Sequence, residues 1–320
     1  VRALVTALAV LMVLTGCARA IGGSPRAHAY DQSYFFAEDV PTYGQTVSSD
    51  DVTRLGYLRA LRRIDPCGLL TREAMAKVGE IGSVGTLFAF DECDLDVKVA
   101  GEAARWFLSI HLELARVDAV HETSPGSCEY LMPLPLSRLP GAHPLPGPEQ
   151  PAVRIGLISQ YNCVLVEKVV HAMEPRIASL QLPIRDAVGV YPAPLAERDP
   201  CQVQSALHVV RWDVRGSQPY ACSLALRDGT PVHVVLQPQL FDLETDTRAR
   251  RSRDGVDVYV DTAGCAATAY VGPPMQRKLL GGDYIKSADL VIRPSVTVDS
   301  ATPHCDIVTD GVVSAARLFG

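Results

Sequence analysis

Alternating apolar and polar residues recur in four stretches of the chain. Leu95 and Val97 sit among Asp94, Asp96 and Lys98, and Trp106, Leu108, Ile110, Leu112 and Leu114 follow. Further on, Leu224 with Leu226, then Val232 with Val234 and Leu236, repeat the same pair of patterns. A period of two sends successive side chains to opposite faces, so each stretch predicts a strand with one buried face. Two more strands are expected at 153–159 and 290–293. The spacing changes to helical at 50–63, where Leu55, Leu58, Leu61 and Ile64 share a side. It is helical again after Cys163, with Leu165, Val166, Val169, Val170, Met173 and Ile177 on one side. Pro175 is placed to end or bend that helix.

The order of these elements occurs twice. Asp65-Pro66-Cys67 opens one run and Asp199-Pro200-Cys201 the other. A strand beginning at the next cysteine follows, with Leu95 matching Leu224 and Val97 matching Leu226. Then come a second strand, a third cysteine, a proline- and glycine-rich stretch (133–151, and Gly272-Pro273-Pro274 to Gly282), a further strand, and a helix opened by a fourth cysteine. Aligned without gaps, Leu165, Val166 and Val170 fall on Ile307, Val308 and Val312. The expected fold is therefore α+β: two tandem related disulfide-stapled lobes, each an antiparallel sheet with flanking helices, at 49–182 and 196–320. The second copy departs after Cys201, where Gln202-Val203-Gln204-Ser205 lacks the Leu69-Leu70-Thr71 helix opening of the first.

Cysteine arithmetic adds a location. Of nine cysteines, Cys17 ends the segment Leu14-Thr15-Gly16-Cys17, which follows Arg2 and an apolar run at 3–14. That run has the length of a signal-peptide core and falls short of the ~20 residues that span a bilayer. The expectation is a lipoprotein leader at 1–16, lipid on Cys17, and a tether at 17–48 rich in Gly, Ser, Pro and Ala. Docking of Tyr34-Phe35-Phe36 on the fold is the alternative for the end of that tether. The remaining cysteines, Cys67, Cys93, Cys128, Cys163, Cys201, Cys222, Cys265 and Cys305, are even in number and lack CxxC spacing, which predicts disulfides in an oxidising compartment. Four cysteines allow three pairings per copy; sequential pairs close the smallest loops and are preferred.

The lipobox, the short tether, the Asp-Pro-Cys turn with its short helix, and the cysteine that opens the last helix are together similar to a family of actinobacterial, often mycobacterial, exported lipoproteins. The pattern more distantly resembles the extracellular sensor domain of mycobacterial receptor kinases. The resemblance implies an α+β fold with two disulfides per copy and a position on the outer face of the cell membrane. It transfers no catalytic residue.

Charge and motifs narrow the function. The chain carries a formal charge of −6, and losing Arg2 with the leader makes it −7, which argues against nucleic acid as partner. Gly-x-Ser-x-Gly, His-Glu-x-x-His, phosphate-binding loops and dinucleotide fingerprints are all missing. His111 and His233 fall at strand phases opposite the apolar residues, and equivalent copies make them related positions. The acids Asp91, Glu92, Asp94 and Asp96 around Cys93 have calcium-ligand chemistry, but alternation places Asp94 and Asp96 on a solvated face. Arg248, Arg250, Arg251 and Arg253 suit an anionic surface, yet Asp242, Glu244, Asp246 and Asp254 offset their field.

These features point to a non-enzymatic envelope lipoprotein without cofactor or metal. It is expected to bind a small ligand, lipid or glycan on or between its lobes. An accessory or scaffold role beside an envelope protein complex is the alternative. A hydrolase built from residues distant in sequence is the third class.

Overall fold

The computed structural model describes residues 32–123, 128–157, 162–185, 194–241, 248–261, 264–275, 291–301 and 305–320. The expected leader, the lipidated Cys17 and the tether up to residue 31 lie outside the described residues, as do Asp242, Glu244, Asp246 and the later part of the second proline loop.

Each lobe begins with the same turn. The Asp65 carboxylate accepts the Cys67 amide at 3.1 Å, and the Asp199 carboxylate accepts the Cys201 amide at 2.9 Å. Proline follows each aspartate at the first helical position, where its fixed φ is already suitable and its missing N–H is not needed. The results are 3-10 turns at Pro66–Leu69 and Pro200–Ser205. In the first lobe a helix follows, Arg72–Val78. In the second the 3-10 turn runs directly toward the sheet, as expected from the missing Leu-Leu-Thr opening.

The elements run α1 (Ser49–Arg63), α2 (Arg72–Val78), β1 (Glu80–Gly85), β2 (Glu92–Lys98), β3 (Arg105–Arg116), β4 (His121–Glu122), β5 (Tyr130–Pro133), β6 (Glu149–Leu157) and α3 (Cys163–Ala178). The second lobe has β7 (Val209–Gln218), β8 (Ala221–Leu226), β9 (Pro231–Phe241), β10 (Ala249–Arg253), β11 (Val256–Asp261), β12 (Ala266–Tyr270), β13 (Val291–Asp299) and α4 (Cys305–Phe319). Both sheets are antiparallel. The first has the order β1-β2-β3-β6-β5-β4, the second β10-β11-β12-β13-β9-β8-β7. Read from opposite ends, the two orders coincide strand for strand, with β10 added to the second edge.

Register makes the duplication residue-specific. Ile110 pairs with Cys93 on one side and Ile155 on the other; Val234 pairs with Cys222 and Val298 in the same way. Tyr130 then opposes Ile155 as Ala267 opposes Val298. The disulfides follow the sequential pairing: Cys67–Cys93, Cys128–Cys163, Cys201–Cys222 and Cys265–Cys305. The third cysteines share a backbone signature, φ of 54° at Cys128 and 46° at Cys265. That left-handed conformation is uncommon outside glycine. It occurs in both lobes where the chain turns into a strand and meets the helix-opening cysteine.

The cores are the inward faces of these sheets. Leu108, Ile110, Leu112, Val153 and Ile155 are buried beneath α3, which offers Leu165, Val166, Val169, Val170 and Met173. Val232, Val234, Leu236, Val296 and Val298 are buried beneath α4, which offers Val308, Val312 and Ala315. Small residues bring α4 close: a Cβ on Gly311 would meet a Val298 methyl at 3.3 Å. The strand expected at 290–293 runs through Pro294 to Asp299, because its core residues are Val296 and Val298. Helix α3 continues past Pro175 to Ala178.

Several expectations are corrected. Asp94 and Asp96 are buried, not solvated. Asp96, 1% exposed, holds Arg105 at 2.7 Å, and Asp94 accepts the Leu87 amide at 2.7 Å. The first β-hairpin folds over them, pairing Gly85 with Asp94 and Ser83 with Asp96. His111 and His233 are not equivalent. The register matches His111 to Val235 and His233 to Ser109, two positions apart on the outer face. Residues 32–48 belong to the folded unit Gln32–Gly320 and do not act as tether. Phe35 is fully buried, the Phe36 ring meets Tyr57 at 5.2 Å, and the Tyr43 ring meets Trp212 at 6.1 Å.

Candidate functional site

Helix α1 sets up the junction of the lobes. Ser48 caps it by accepting the Asp51 amide, and Asp50 and Asp51 face the positive end of its dipole. It touches β3 of the first sheet and β7 of the second. Its expected apolar side is buried, and Arg54 and Arg62, which helical spacing places among those leucines, are buried with it. Arg54 ion-pairs with Glu149 of β6 and donates to the Val214 and Arg215 carbonyls of β7 at 3.2 and 3.1 Å. Arg62 donates to the Pro219 carbonyl at 3.0 Å and to Asp199 at 2.8 Å. Tyr220 completes the seam. Its buried hydroxyl donates to the Ala196 carbonyl (2.7 Å) with the Arg62 carbonyl also within reach (3.2 Å), and burial pushes its pKa up to about 12.

Helical spacing then gathers Arg59, Arg62 and Arg63 on one side of α1, since residues three and four apart are neighbours. The segment after α3 brings a fourth guanidinium. Ile64 and Ile184 form a β-bridge, and the Arg185 amide donates to the Arg63 carbonyl at 2.9 Å. Arg185 then reaches the carbonyls of Arg62 (3.1 Å), Ile64 (3.1 Å) and Phe90 (2.6 Å). The start of the second lobe adds Glu197 and Asp199, and residues 34–41 close the remaining side. The result is a cleft of about 510 Å³ lined by these four arginines together with Tyr34, Glu38, Asp39, Pro41, Glu197 and Asp199. That volume lies in the range of small-molecule sites.

The cleft is electrostatically layered. Its arginines are buried or half-buried, whereas Glu38, Asp39 and Glu197 are exposed. Among the described residues, the carboxylates that ion-pair with these four guanidiniums are Glu38 and Asp199. Burial lowers the Arg59 pKa, and the like charge of Arg63 lowers it further. Tyr43, beside Asp199, is shifted upward by burial and by that carboxylate. The floor therefore carries positive charge that its own acids only partly neutralise, and the rim carries exposed acids. Binding of a polar or anionic molecule is what this arrangement can do.

Other constellations are weaker. Ser223, His233 and Asp299 fall in one cross-strand row, with Ser223 Oγ 3.3 Å from His233 Nδ1. Ser223 is only 3% exposed, and its hydroxyl donates to the Gly216 carbonyl at 2.8 Å. Its proton is thus directed away from the imidazole, and a substrate carbonyl has no approach to the oxygen. His111 lies 3.5 Å from the buried Asp91, whose pKa burial raises. Among the described residues, no three His, Cys, Asp or Glu side chains are grouped to hold a metal ion.

A second cavity of about 470 Å³ is lined by Arg250, Asp257, Tyr259, Tyr270 and Arg293. Within the β10 arginine cluster, Arg250 pairs with Asp257, Arg253 with Asp310, and Arg248 donates to the Tyr270 hydroxyl. A third, of about 330 Å³, lies between α2 and α3 beside Lys77, Lys168 and His171.

The sequence pattern marked Asp199 through its motif but passed over Arg59, Arg62, Arg63 and Arg185. The one signal available was the 59, 62, 63 spacing along the helix predicted at 50–63. No helix of the described residues is long and apolar enough to cross a membrane. No family model matches the chain, and no curated protein or solved structure matches it either.

Proposed function

We propose that this protein is an exported, lipid-anchored binding protein of the cell envelope that performs no catalysis and holds a small polar ligand in the cleft between its lobes. The observation that carries the reading is the cleft itself, floored by four arginines contributed by α1 and the inter-lobe segment. Its walls come from both lobes and from residues 34–41, so an occupant touches every part that α1 ties together. The two sheets on either side are held rigid by four disulfides, which suits a pre-formed site.

The export reading rests on the sequence. Eight cysteines pair among themselves and leave Cys17 over, at the end of the lipobox-like Leu14-Thr15-Gly16-Cys17. Disulfides at this density fit an oxidising compartment, and the similarity to actinobacterial lipoproteins points the same way. A scaffold role would be favoured by a contiguous apolar patch. Among the described residues, the exposed large apolar side chains Phe88, Val120, Val164 and Val210 instead sit on four separate segments of the chain.

Native mass spectrometry of the lipidated protein, extracted in detergent, tests the reading. The wild type should retain a bound small molecule, and Pro41→Trp, which fills the cleft without removing charge, should lose it. Retention in the filled variant moves the site elsewhere. Absence of any bound species, with no thermal shift across a panel of polar metabolites, sinks the proposal.

A further inference from the structure

The cleft contains one carboxylate that is easily replaced, held by arginines that are not. Arg63 is 16% exposed and Arg59 11%, whereas the Glu38 side chain that joins them is 68% exposed. Arg63 is fixed by the Tyr34 carbonyl and by the Tyr34 ring, whose centroid lies 4.5 Å from its guanidinium carbon. Arg59 is fixed by the carbonyls of Glu38 and Asp39. An exposed ion pair contributes little to stability, so withdrawing the Glu38 side chain into solvent costs the fold little. The two cations remain where the backbone holds them.

Glu38 also fits the arginine pair incompletely. Its carboxylate is 2.5 Å from Arg63 but 3.8 Å from Arg59, and Arg59 Nε is buried without an acceptor. One carboxylate oxygen, Oε2, faces both guanidiniums and reaches hydrogen-bond distance of only one. A tetrahedral phosphoryl group has three terminal oxygens and a higher charge, and it can accept from both. Arg185, held by three carbonyls and by the Tyr220 ring 5.6 Å away, adds further positive charge to the same cleft.

We infer that Arg59 and Arg63 form a phosphoryl-binding subsite of the cleft, occupied in the free protein by the Glu38 carboxylate. This rests on the reading of the cleft as a ligand site and names the chemistry of its ligand: a small phosphate monoester, or the phosphate headgroup of a lipid. Glu38 then acts as a built-in competitor that a phosphate must displace.

Calorimetric titration with glycerol 3-phosphate, short-chain phosphatidic acid, succinate and glycerol tests it on the intact folded protein. Both phosphates should bind the wild type more tightly than succinate, and glycerol should not bind. Glu38→Gln removes the competing charge and should tighten phosphate binding about tenfold, equivalent to ~1.4 kcal/mol. Arg63→Gln should abolish it, and Arg63→Lys, which keeps charge but loses the fork, should recover it in part.

Tighter binding of phosphatidic acid than of glycerol 3-phosphate assigns the site to a headgroup; equal binding assigns it to a soluble ester. Equal phosphate affinity in wild type and Glu38→Gln overturns the inference, as does undiminished binding by Arg63→Gln. So does an absence of phosphate binding by every variant. A ligand that native mass spectrometry still detects, and that Pro41→Trp expels, keeps the cleft reading intact in each of these cases.

Discussion

Arg62, on the helix that opens the first lobe, donates at 2.8 Å to Asp199, the residue that caps the cysteine turn of the second. One carboxylate thus shapes a turn within its own lobe and locks that lobe to the other. The Arg62 side chain is buried and Asp199 is nearly so, which makes the pair costly to break from one side.

Arg62→Ala leaves Asp199 facing the cleft without its cation and leaves the Pro219 carbonyl without its donor. Breaking a buried pair from one side costs ~3–5 kcal/mol, and the partial exposure of Asp199 places this variant near the lower end. Replacing both residues together, with Arg62→Met and Asp199→Asn, should recover a substantial part of the loss, because no lone charge remains. Urea unfolding of the single and double variants measures this. Additive losses would show that the two side chains stabilise the fold independently.

The disulfides allow a comparison between lobes. The bridged residues are separated by 26, 35, 21 and 40 positions. Loop entropy varies only with the logarithm of that length, so each bridge should contribute about 3–4 kcal/mol, with differences between them under ~1 kcal/mol. Paired Cys→Ser replacement of Cys67 with Cys93, and of Cys201 with Cys222, should give similar drops in denaturant midpoint. Non-reducing peptide mapping should recover the four sequential links and no cross-lobe link.

The duplication was legible because it is written in local chemistry. Asp-Pro-Cys sets a turn by itself, alternation fixes a buried face, and small loops limit disulfide pairing. The strand expected at 290–293 is right in place but ends too early, because Pro294 reads as a breaker while the strand runs on to Asp299. The proline is tolerated there although β13 lies inside the sheet, opposite Pro238 of β9. The histidine equivalence failed for a related reason: alternation gives the face but not the register, and a shift of two residues keeps the face. Burial of Asp94 and Asp96 was hidden because the hairpin strand that covers them, β1, has only Ile81 and Val84 as large apolar residues. The cleft was least legible of all. Arg59 and Arg63 meet Glu38 more than twenty positions upstream, and Arg185 arrives from beyond α3. Only tertiary structure joins them.

The proposed lipid anchor yields its own prediction. Since the other eight cysteines are paired, Cys17→Ala should move the protein from the membrane fraction to the soluble one with its remaining thiols still oxidised. Thiol labelling under denaturing, non-reducing conditions should then detect none. Continued membrane fractionation, or one reactive thiol, would contradict the assignment of Cys17.

Asp91 supplies a pH dependence whose sign is fixed by burial. Its carboxyl is buried, and desolvation raises its pKa above the ordinary value of 3.8; His111 and Arg185 oppose that rise and Glu113 adds to it. Glu92, next in sequence, is raised by burial as well. A carboxyl whose pKa is higher in the folded state binds its proton more tightly there, so it favours folding fully below the unfolded pKa. That contribution is lost as pH rises through the folded pKa. At neutral pH burying Asp91 is therefore a net cost to folding that the His111 imidazole, 3.5 Å away, does not cancel, since the net direction of the shift is upward. Asp91→Asn keeps the shape and removes the charge, so it should raise the melting temperature at neutral pH. The advantage should shrink as pH falls toward the ordinary carboxyl value, below which the folded and unfolded states both hold the proton. His111→Ala should do the opposite at neutral pH, lowering the melting temperature, and this loss should be smaller in the Asp91→Asn background. An Asp91→Asn variant less stable than wild type at neutral pH would mean that the contact with His111 outweighs the desolvation of the carboxylate.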